Sequence, residues 1–179
     1  MNPKEILNKY WGYPDFRSPQ EDIISEVLSG KHCLALMPTG GGKSLCFQVP
    51  ALIKDGFCLV ISPLIALMQD QVEQLNKRGI KAAAIYSGMN RNEVENTLNN
   101  AIYGAYKLLY VSPERVQTEF FKSRIPHATI NLIAVDEAHC ISQWGYDFRP
   151  AYTALKSLRE ASPSVPILAL TASATPRVA

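Results

Sequence analysis

The N-terminal half of the chain contains the glycine-rich octapeptide Met37-Pro38-Thr39-Gly40-Gly41-Gly42-Lys43-Ser44. It stands between an apolar run that is typical of a buried strand and a helical pattern. Consecutive glycines let the backbone adopt positive φ values, and the helix start adds further N–H groups, so the segment suits an anion. It therefore predicts a phosphate-binding loop, although Met37 replaces the first glycine of the general GxxxxGK(S/T) pattern. The alternative is a glycine-rich turn with an incidental lysine.

The two residues that close this loop have distinct expected roles. Lys43 would reach the β- and γ-phosphates of a nucleoside triphosphate, and the Ser44 hydroxyl would bind Mg²⁺. Backbone groups of Thr39, Gly40, Gly41 and Gly42 would surround the phosphates. The predicted ligand is therefore ATP with Mg²⁺.

Apolar runs rich in β-branched or small residues alternate with amphipathic stretches along the chain. The runs predict strands at residues 32–37, 57–61, 82–85, 107–111, 132–135 and 167–170. The stretches predict helices over residues 44–54, 64–78, 91–101, 114–122 and 151–161, because apolar residues recur at three- and four-residue steps. Strands that are apolar throughout need cover on both faces. We therefore predict an α/β fold, a mostly parallel sheet with helices on both faces, preceded by a helical cap within residues 1–30.

Composition and charge favour a single folded domain over residues 1–179. Hydrophobic residues make up 47% of the sequence and charged residues 19%, as in globular proteins. The net charge is only +2, so any contact with nucleic acid must be local. The cysteines lack metal-ligand spacing and are predicted to be buried free thiols. Without a signal peptide or an apolar run of ~20 residues, the expected location is cytoplasmic and nucleoid-associated.

A second polar cluster, Asp136-Glu137-Ala138-His139, directly follows the apolar run Leu132-Ile133-Ala134-Val135. Ligands of parallel sheets bind at the carboxyl ends of the strands. Asp136 would hold the Mg²⁺ shell and Glu137 would orient or deprotonate the attacking water, because phosphoryl transfer needs positioning and charge neutralisation. The alternative is a pair of acidic residues that merely caps a strand.

The glycine-rich loop and the Asp-Glu-Ala-His tetrad, in this order, resemble the second superfamily of helicases, whose motor consists of two RecA-like lobes with a P-loop NTPase fold. In the preceding segment Phe16-Arg17-Ser18-Pro19-Gln20, the resemblance implies that Gln20 reads the adenine edge and that Arg17 packs near the base. Residues 62–71 and 110–115 resemble two strand-end segments that contact single-stranded DNA, which suggests Arg115 as a DNA-binding residue. Residues 170–175 resemble the motif that couples hydrolysis to lobe movement, which assigns a coupling role to Thr171.

The aromatic stretch at residues 140–150 resembles the loop that marks the RecQ helicases within this superfamily. Trp144, Phe148 and Arg149 would supply stacking faces and a cation for unstacked bases, at roughly 1–3 kcal/mol per stacked base. The stretch begins one residue after His139, so it can report DNA occupancy to the carboxylates, and the resemblance adds Gln143 to this coupling group. Tyr146 stands where the family has histidine, and tyrosine, unlike histidine, cannot take up a proton and become positively charged near neutral pH. The alternative is an aromatic cluster packed beneath a loop.

The resemblance implies the first RecA-like lobe of an ATP-dependent 3′-to-5′ DNA helicase with a DEAH-type box, acting in recombination and repair. Its expected partners are single-stranded and duplex-junction DNA and a second lobe of the same protein, and no membrane. Residues 175–177, close to the end of the sequence, have the pattern of a helix start. We therefore expect the second lobe to be absent, nucleotide hydrolysis to be poor and unwinding to fail. The alternatives are another P-loop NTPase and a non-catalytic nucleic-acid-binding module.

Overall fold

The sheet of this protein has six parallel strands in the part of the chain that its computed structural model describes. The described residues are 1–37, 42–138 and 149–172, and for residues 149–152 only the backbone is described. The strands are β1 (Cys33–Leu36), β2 (Phe57–Ile61), β3 (Ala82–Ile85), β4 (Leu108–Val111), β5 (Ile130–Val135) and β6 (Ile167–Thr171). Every pairing between them is parallel, which confirms the predicted sheet.

The strand order across the sheet is β1-β6-β5-β2-β4-β3. Strand β6, the last along the chain, therefore lies between β1 and β5. Parallel strands all end at the same edge of a sheet, and ligands of such sheets bind outside the carboxyl ends. This order brings the loop after β1 close to the residues that follow β5.

Helices connect the strands and cover the sheet. Their bounds are α1 (Pro3–Trp11), α2 (Gln20–Leu28), α3 (Leu45–Ile53), α4 (Ile65–Lys77), α5 (Arg91–Ile102), α6 (Pro113–Val116), α7 (Glu119–Arg124) and α8 (Arg149–Ala161). A short 3₁₀ turn, Ile125–His127, follows α7. None of these helices is long and apolar enough to cross a membrane.

Two helices begin with a capping box, in which the side chains of two residues satisfy each other's backbone N–H groups. Asn2 and Glu5 form this pair at the start of α1, and Asn90 and Glu93 form it at the start of α5. The exchange satisfies donors that the helix itself leaves unpaired. Local sequence therefore sets where these helices begin.

The predicted helix over residues 114–122 is wrong as a single element. The chain forms α6 and α7 there, separated by a break at Thr118, whose backbone is extended. The Thr118 Oγ1 accepts a hydrogen bond from the Phe121 N–H at 3.3 Å and so caps a new helix. A threonine that caps an N-terminus competes with helix continuation, and the apolar periodicity does not reveal this competition.

The core lies on both faces of the sheet, as the apolar strands predict. Along β2, Cys58 and Val60 pack into one apolar cluster and Leu59 and Ile61 into the other. The first cluster includes residues of α2, α3 and α4, and the second includes residues of α5, α6, α7 and α8. Since each cluster is buried by helices, both faces of the central strands are dry, which confirms the predicted cover.

The cysteines within the described residues are free thiols. Cys46 and Cys58 are fully buried, whereas Cys33 is half-buried, so the predicted burial is confirmed for two of the three. Cys140 lies outside the described residues. Burial raises the pKa of the Cys46 thiol to about 12 and raises the pKa of Cys58 further.

Candidate nucleotide-binding site

Three strand ends are joined by backbone hydrogen bonds at one edge of the sheet. The N–H of Met37, at the end of β1, donates to the Thr171 carbonyl at 3.0 Å. The N–H of Ala138, beyond β5, donates to the Leu170 carbonyl at 2.9 Å. The start of the glycine-rich loop and the turn that carries the acidic pair are thus tied to neighbouring residues of β6, Thr171 and Leu170 respectively. Thr171, predicted to couple hydrolysis to movement, is fully buried at this junction.

Lys43 and Glu137 form an ion pair at this edge. Their Nζ and Oε1 atoms are 3.5 Å apart, and the two side chains are 15% and 19% exposed. The pair joins residues that are far apart in the chain, at the end of the loop after β1 and just beyond β5. The structure therefore brings together two of the predicted catalytic residues, and their limited exposure shields the pair from solvent screening.

Asp136 is buried beside this pair. Burial, followed by repulsion from Glu137, raises the pKa of its carboxyl group. The nearby positive charge of Lys43 acts in the opposite direction. One Asp136 oxygen, Oδ1, accepts the Glu137 N–H at 3.0 Å, which fixes the carboxylate against its own backbone.

Glu137 has a left-handed backbone with a φ of +54°, unusual for a residue other than glycine. Such conformations cost roughly 1–3 kcal/mol and persist where the surrounding structure imposes them. Here the backbone bonds of Asp136 and Ala138 hold the chain on both sides, at 2.9 Å to Ile61 and 2.9 Å to Leu170 respectively. The turn directs the Glu137 side chain to Lys43.

The described end of the glycine-rich loop is Gly42, whose φ is +73°. A side chain here would collide with the amide nitrogen of Gln20. Gln20 is itself buried, accepts the Arg17 N–H at 2.8 Å and donates to the Gly42 carbonyl at 3.1 Å. The segment ahead of the loop is thus fastened to the loop by a single glutamine side chain.

A cavity of about 310 Å³ opens beside Gln20 and Gly42. Its remaining walls come from the N-terminal cap and from the first residue of α3, and are formed by Leu7, Trp11, Tyr13, Pro14, Asp15, Arg17 and Leu45. Apart from Arg17, sequence reasoning missed these wall residues. The aromatic character of residues 10–16 was a signal for them, because a purine ring packs well against flat apolar surfaces.

Ser44 and Asp136 are the candidate Mg²⁺ ligands. Ser44 stands at the start of α3 with a hydroxyl that makes no capping bond to the helix, and Asp136 offers carboxylate oxygen. Within the described residues no group of three or more His, Cys, Asp or Glu side chains could hold a metal by itself. This donor set fits Mg²⁺, which takes oxygen ligands and relies on one or two protein groups plus substrate phosphates.

Arg115, the predicted DNA-binding residue, lies in α6, just beyond β4, and its side chain points back into the protein. Its Nε donates to the Tyr86 carbonyl at 3.2 Å and one terminal nitrogen to the Met89 carbonyl at 2.9 Å. The guanidinium group therefore fastens the loop between β3 and α5. Sequence reasoning missed this role.

Several predicted site residues lie outside the described residues. They are Thr39, Gly40 and Gly41 of the phosphate loop, His139, Gln143 and Tyr146 of the coupling group, and Trp144 and Phe148 of the aromatic stretch. The Arg149 backbone begins α8, and its side chain lies outside the description.

Comparison with known proteins assigns this arrangement to a family. The family model of the DEAD/DEAH box helicases matches residues 17–179. The chain belongs to this family. It is 51% identical, over 95% of its length, to the ATP-dependent DNA helicase RecQ of Pasteurella multocida, and 48% identical, over 98% of its length, to that of Bacillus subtilis. These relatives confirm the resemblance to RecQ helicases, and the chain spans 27% and 30% of their respective lengths.

Solved structures agree on the fold. A hypothetical ATP-dependent RNA helicase from Sulfolobus tokodaii superposes with a TM-score of 0.75 at 20% identity, over 99% of this chain and 53% of that one. The helicase Lhr of Mycobacterium smegmatis, bound to single-stranded DNA and AMP-PNP, gives a TM-score of 0.74 at 17% identity, over 98% of this chain and 26% of that one. The predicted RecA-like α/β fold is confirmed.

Proposed function

We propose that this chain is the Mg·ATP-binding motor lobe of an ATP-dependent DNA helicase of the RecQ type. The observation that carries the proposal is the 3.5 Å ion pair between Lys43 and Glu137. Because this pair joins the phosphate loop to the carboxylates beyond β5, a triphosphate on the loop would lie against both. The relatives named as RecQ helicases support the choice of reaction.

Nucleotide binding begins in the cavity beside Gln20. The base would enter between the aromatic walls, with Trp11 supplying a flat surface, while Gln20 and Arg17 lie at the base edge. Gln20 also donates to the Gly42 carbonyl, so a base that orders Gln20 orders the end of the phosphate loop as well. Base recognition and phosphate binding are therefore linked through the Gln20 side chain.

Lys43 would exchange partners when the phosphates bind. A triphosphate carries more negative charge than a single carboxylate, so the ammonium group would leave Glu137 and contact the β- and γ-phosphates. Glu137 would then be released to orient or deprotonate the attacking water. Ser44 and Asp136 would hold Mg²⁺, which neutralises charge on the phosphates when it is bound.

DNA would be contacted at the carboxyl-end surface and by the aromatic stretch. Arg115 would contribute by shaping the loop between β3 and α5 through its bonds to the Tyr86 and Met89 carbonyls. Its remaining guanidinium N–H groups would contact the DNA backbone. Trp144, Phe148 and Arg149 would stack against unpaired bases. His139, Gln143, Tyr146 and Thr171 would transmit DNA occupancy to the carboxylates.

The larger setting of the proposal comes from the RecQ relatives. The chain would work with a second RecA-like lobe that supplies an arginine to the ATP site, and by itself would hydrolyse ATP slowly. The full-length protein would translocate from 3′ to 5′ on single-stranded and junction DNA. It would act in recombination and repair, in a cytoplasmic, nucleoid-associated location.

Calorimetry of Mg·ADP binding tests the proposed site. Lys43→Ala should weaken Mg·ADP binding by roughly 10- to 100-fold, because a charge-assisted hydrogen bond to phosphate is lost. Lys31→Ala is the matched control, since Lys31 forms an exposed ion pair with Glu26 at 3.1 Å and precedes β1 at the opposite end of that strand. Equal affinity of wild type and Lys43→Ala, or no binding by wild type, would refute the proposed site.

A further inference from the structure

A side chain at the end of α4 contacts the end of α1. Arg78 directly follows α4, and its Nη1 donates to the Tyr10 carbonyl at 3.2 Å. Its guanidinium carbon lies 5.7 Å from the centroid of the Trp11 ring, within the range of a cation–π contact. One side chain thus contacts each of the last two residues of α1, which ends at Trp11.

The Tyr10 carbonyl belongs to the part of α1 that needs an outside donor. The last four carbonyls of a helix have no partner within the helix, and Tyr10 is among these residues. Arg78 supplies such a donor, and its positive charge stands at the helix end where the backbone dipole favours a cation. The contact therefore fixes the last turn of α1 against the end of α4.

Trp11 connects this contact with the nucleotide cavity. Its ring is one wall of the cavity of about 310 Å³ beside Gln20 and Gly42, and the proposed function packs the base against this ring. Among the described residues, Arg78 is not part of the cavity wall. Arg78 would therefore act on a bound base through Trp11, without touching the base.

The segment that continues the wall is anchored at both of its ends. The chain turns at Gly12, whose φ is +76°, and residues 13–15 extend the wall from there. At the far end of the segment, the Arg17 N–H donates to Oε1 of Gln20 at 2.8 Å. The contact of Arg78 with α1 anchors the near end.

An ion pair between Asp15 and Lys4 also holds this segment, with Oδ1 and Nζ 3.4 Å apart. The two side chains are 73% and 50% exposed, and ion pairs at such exposure stabilise little. This pair must order two side chains, whereas Arg78 contacts a carbonyl and a ring that α1 already holds in place. Loss of the Arg78 contact should therefore move the wall more than loss of the ion pair.

We propose that Arg78 is a positioning residue for the base, and that it holds the Trp11 ring in place as a wall of the nucleotide cavity. The inference rests on the proposed function, in which this cavity takes the adenine base. The phosphates would be bound elsewhere, by Lys43 and the glycine-rich loop. Arg78 should therefore affect the affinity for a ligand that carries a base and leave the binding of phosphates alone unchanged.

The test compares a ligand that has a base with one that lacks it. Calorimetry would measure the affinities of Mg·ADP and Mg·pyrophosphate for wild type and for Arg78→Met, which keeps an apolar stem and removes the charge and the donors. Lys77→Met is the matched control, because Lys77 is the neighbouring cation and pairs with Glu73 within α4 at 3.0 Å. Circular dichroism would confirm that the variants fold.

Fluorescence would report the position of the Trp11 ring directly. The chain has two tryptophans, so Trp11 becomes the sole one in a Trp144→Phe background. Quenching of its emission by acrylamide measures how exposed the ring is, with and without Arg78→Met.

We expect Arg78→Met to weaken Mg·ADP binding by about three- to fivefold, the scale of one exposed cation–π contact. Mg·pyrophosphate affinity should not change, and acrylamide should quench Trp11 more readily. Arg78→Lys should give an intermediate Mg·ADP affinity, because an ammonium group replaces the charge but not the planar contact. In a Trp11→Leu background, Arg78→Met should have no further effect, because Arg78 acts through Trp11.

Equal Mg·ADP affinity of wild type and Arg78→Met would overturn the inference. An equal loss of Mg·pyrophosphate affinity would overturn it as well, since it indicates a general effect on the fold, and so would unchanged quenching of Trp11. These outcomes leave the proposed function intact as long as wild type binds Mg·ADP more tightly than Mg·pyrophosphate. If wild type binds neither ligand, or binds both equally, the proposed nucleotide site itself fails.

Discussion

The left-handed backbone of Glu137 leads to an unusual prediction about stability. The Glu137→Gly variant should have a higher free energy of unfolding than the Glu137→Ala variant. A left-handed conformation costs an L-residue roughly 1–2 kcal/mol. Glycine avoids that cost but loses about 0.5–1 kcal/mol more conformational entropy on folding. With φ at +54°, the balance favours glycine by about 0.5–1 kcal/mol. Both variants remove the same carboxylate and the same ion pair with Lys43, so these losses cancel in the comparison.

Urea unfolding of four variants would measure this balance, with the free energy of unfolding extrapolated linearly to water. Glu137→Gly and Glu137→Ala form the test pair. Glu73→Gly and Glu73→Ala form the control pair, because Glu73 lies within α4 and its side chain is 64% exposed. Within a helix, glycine should be less stable than alanine by about 1 kcal/mol.

The expected result is therefore a change of sign between the two positions. A Glu137→Gly variant that is less stable than Glu137→Ala, as at position 73, would refute the strain argument. Both Glu137 variants should lose ATP hydrolysis whatever their stability, because each lacks the carboxylate proposed to orient water. If Glu137→Gly is more stable than Glu137→Ala and neither hydrolyses ATP, the turn holds a strained backbone in order to place the Glu137 side chain.

Two further outcomes follow from burial and from the contacts of Arg115. Burial raises the pKa of the Cys46 thiol to about 12, so this thiol is protonated at pH 8 in the folded protein. Because alkylation needs the thiolate, Cys46 should react at least about 100-fold more slowly in the folded protein than in urea. The reaction in the folded protein should become faster as the pH rises. Peptide mapping by mass spectrometry measures the rate, and rapid labelling of Cys46 in the folded chain would contradict the expectation. Arg115→Ala should release the loop between β3 and α5 and weaken single-stranded DNA binding by roughly 10-fold, with Mg·ADP affinity unchanged, as measured by fluorescence anisotropy and calorimetry. The control is Arg124→Ala, because the Arg124 guanidinium stacks on the Phe120 ring. Equal DNA affinity of wild type and Arg115→Ala would count against the role of Arg115.

Much of the architecture can be predicted from local sequence. The apolar runs locate all six described strands, with β5 beginning two residues earlier than expected, at Ile130. The reason is that strands buried on both faces are apolar at every position, and a few neighbouring residues are enough to show it. The break at Thr118 was missed because a capping side chain acts against a pattern that still favours a helix.

The candidate site also has parts that local sequence predicts and parts that depend on the tertiary structure. The glycine-rich octapeptide and the acidic pair are recognisable because the chemistry of each lies within a few consecutive residues. Their meeting depends on β6 lying between β1 and β5, an order that the periodicity of the strands does not contain. The ion pair between Lys43 and Glu137 is therefore a product of the strand order.

The remaining features belong to tertiary structure alone. The carbonyl contacts of Arg115 and the hydrogen bonds that link Gln48, Tyr110 and Gln71 each join groups from different helices, strands and loops. A glutamine or a tyrosine in an apolar stretch has many available partners, and only the packing of the whole chain selects one. Local sequence thus specifies which chemical groups this protein carries, and the fold decides which of them touch, because hydrogen bonds and ion pairs act over a few ångströms and are indifferent to distance along the chain.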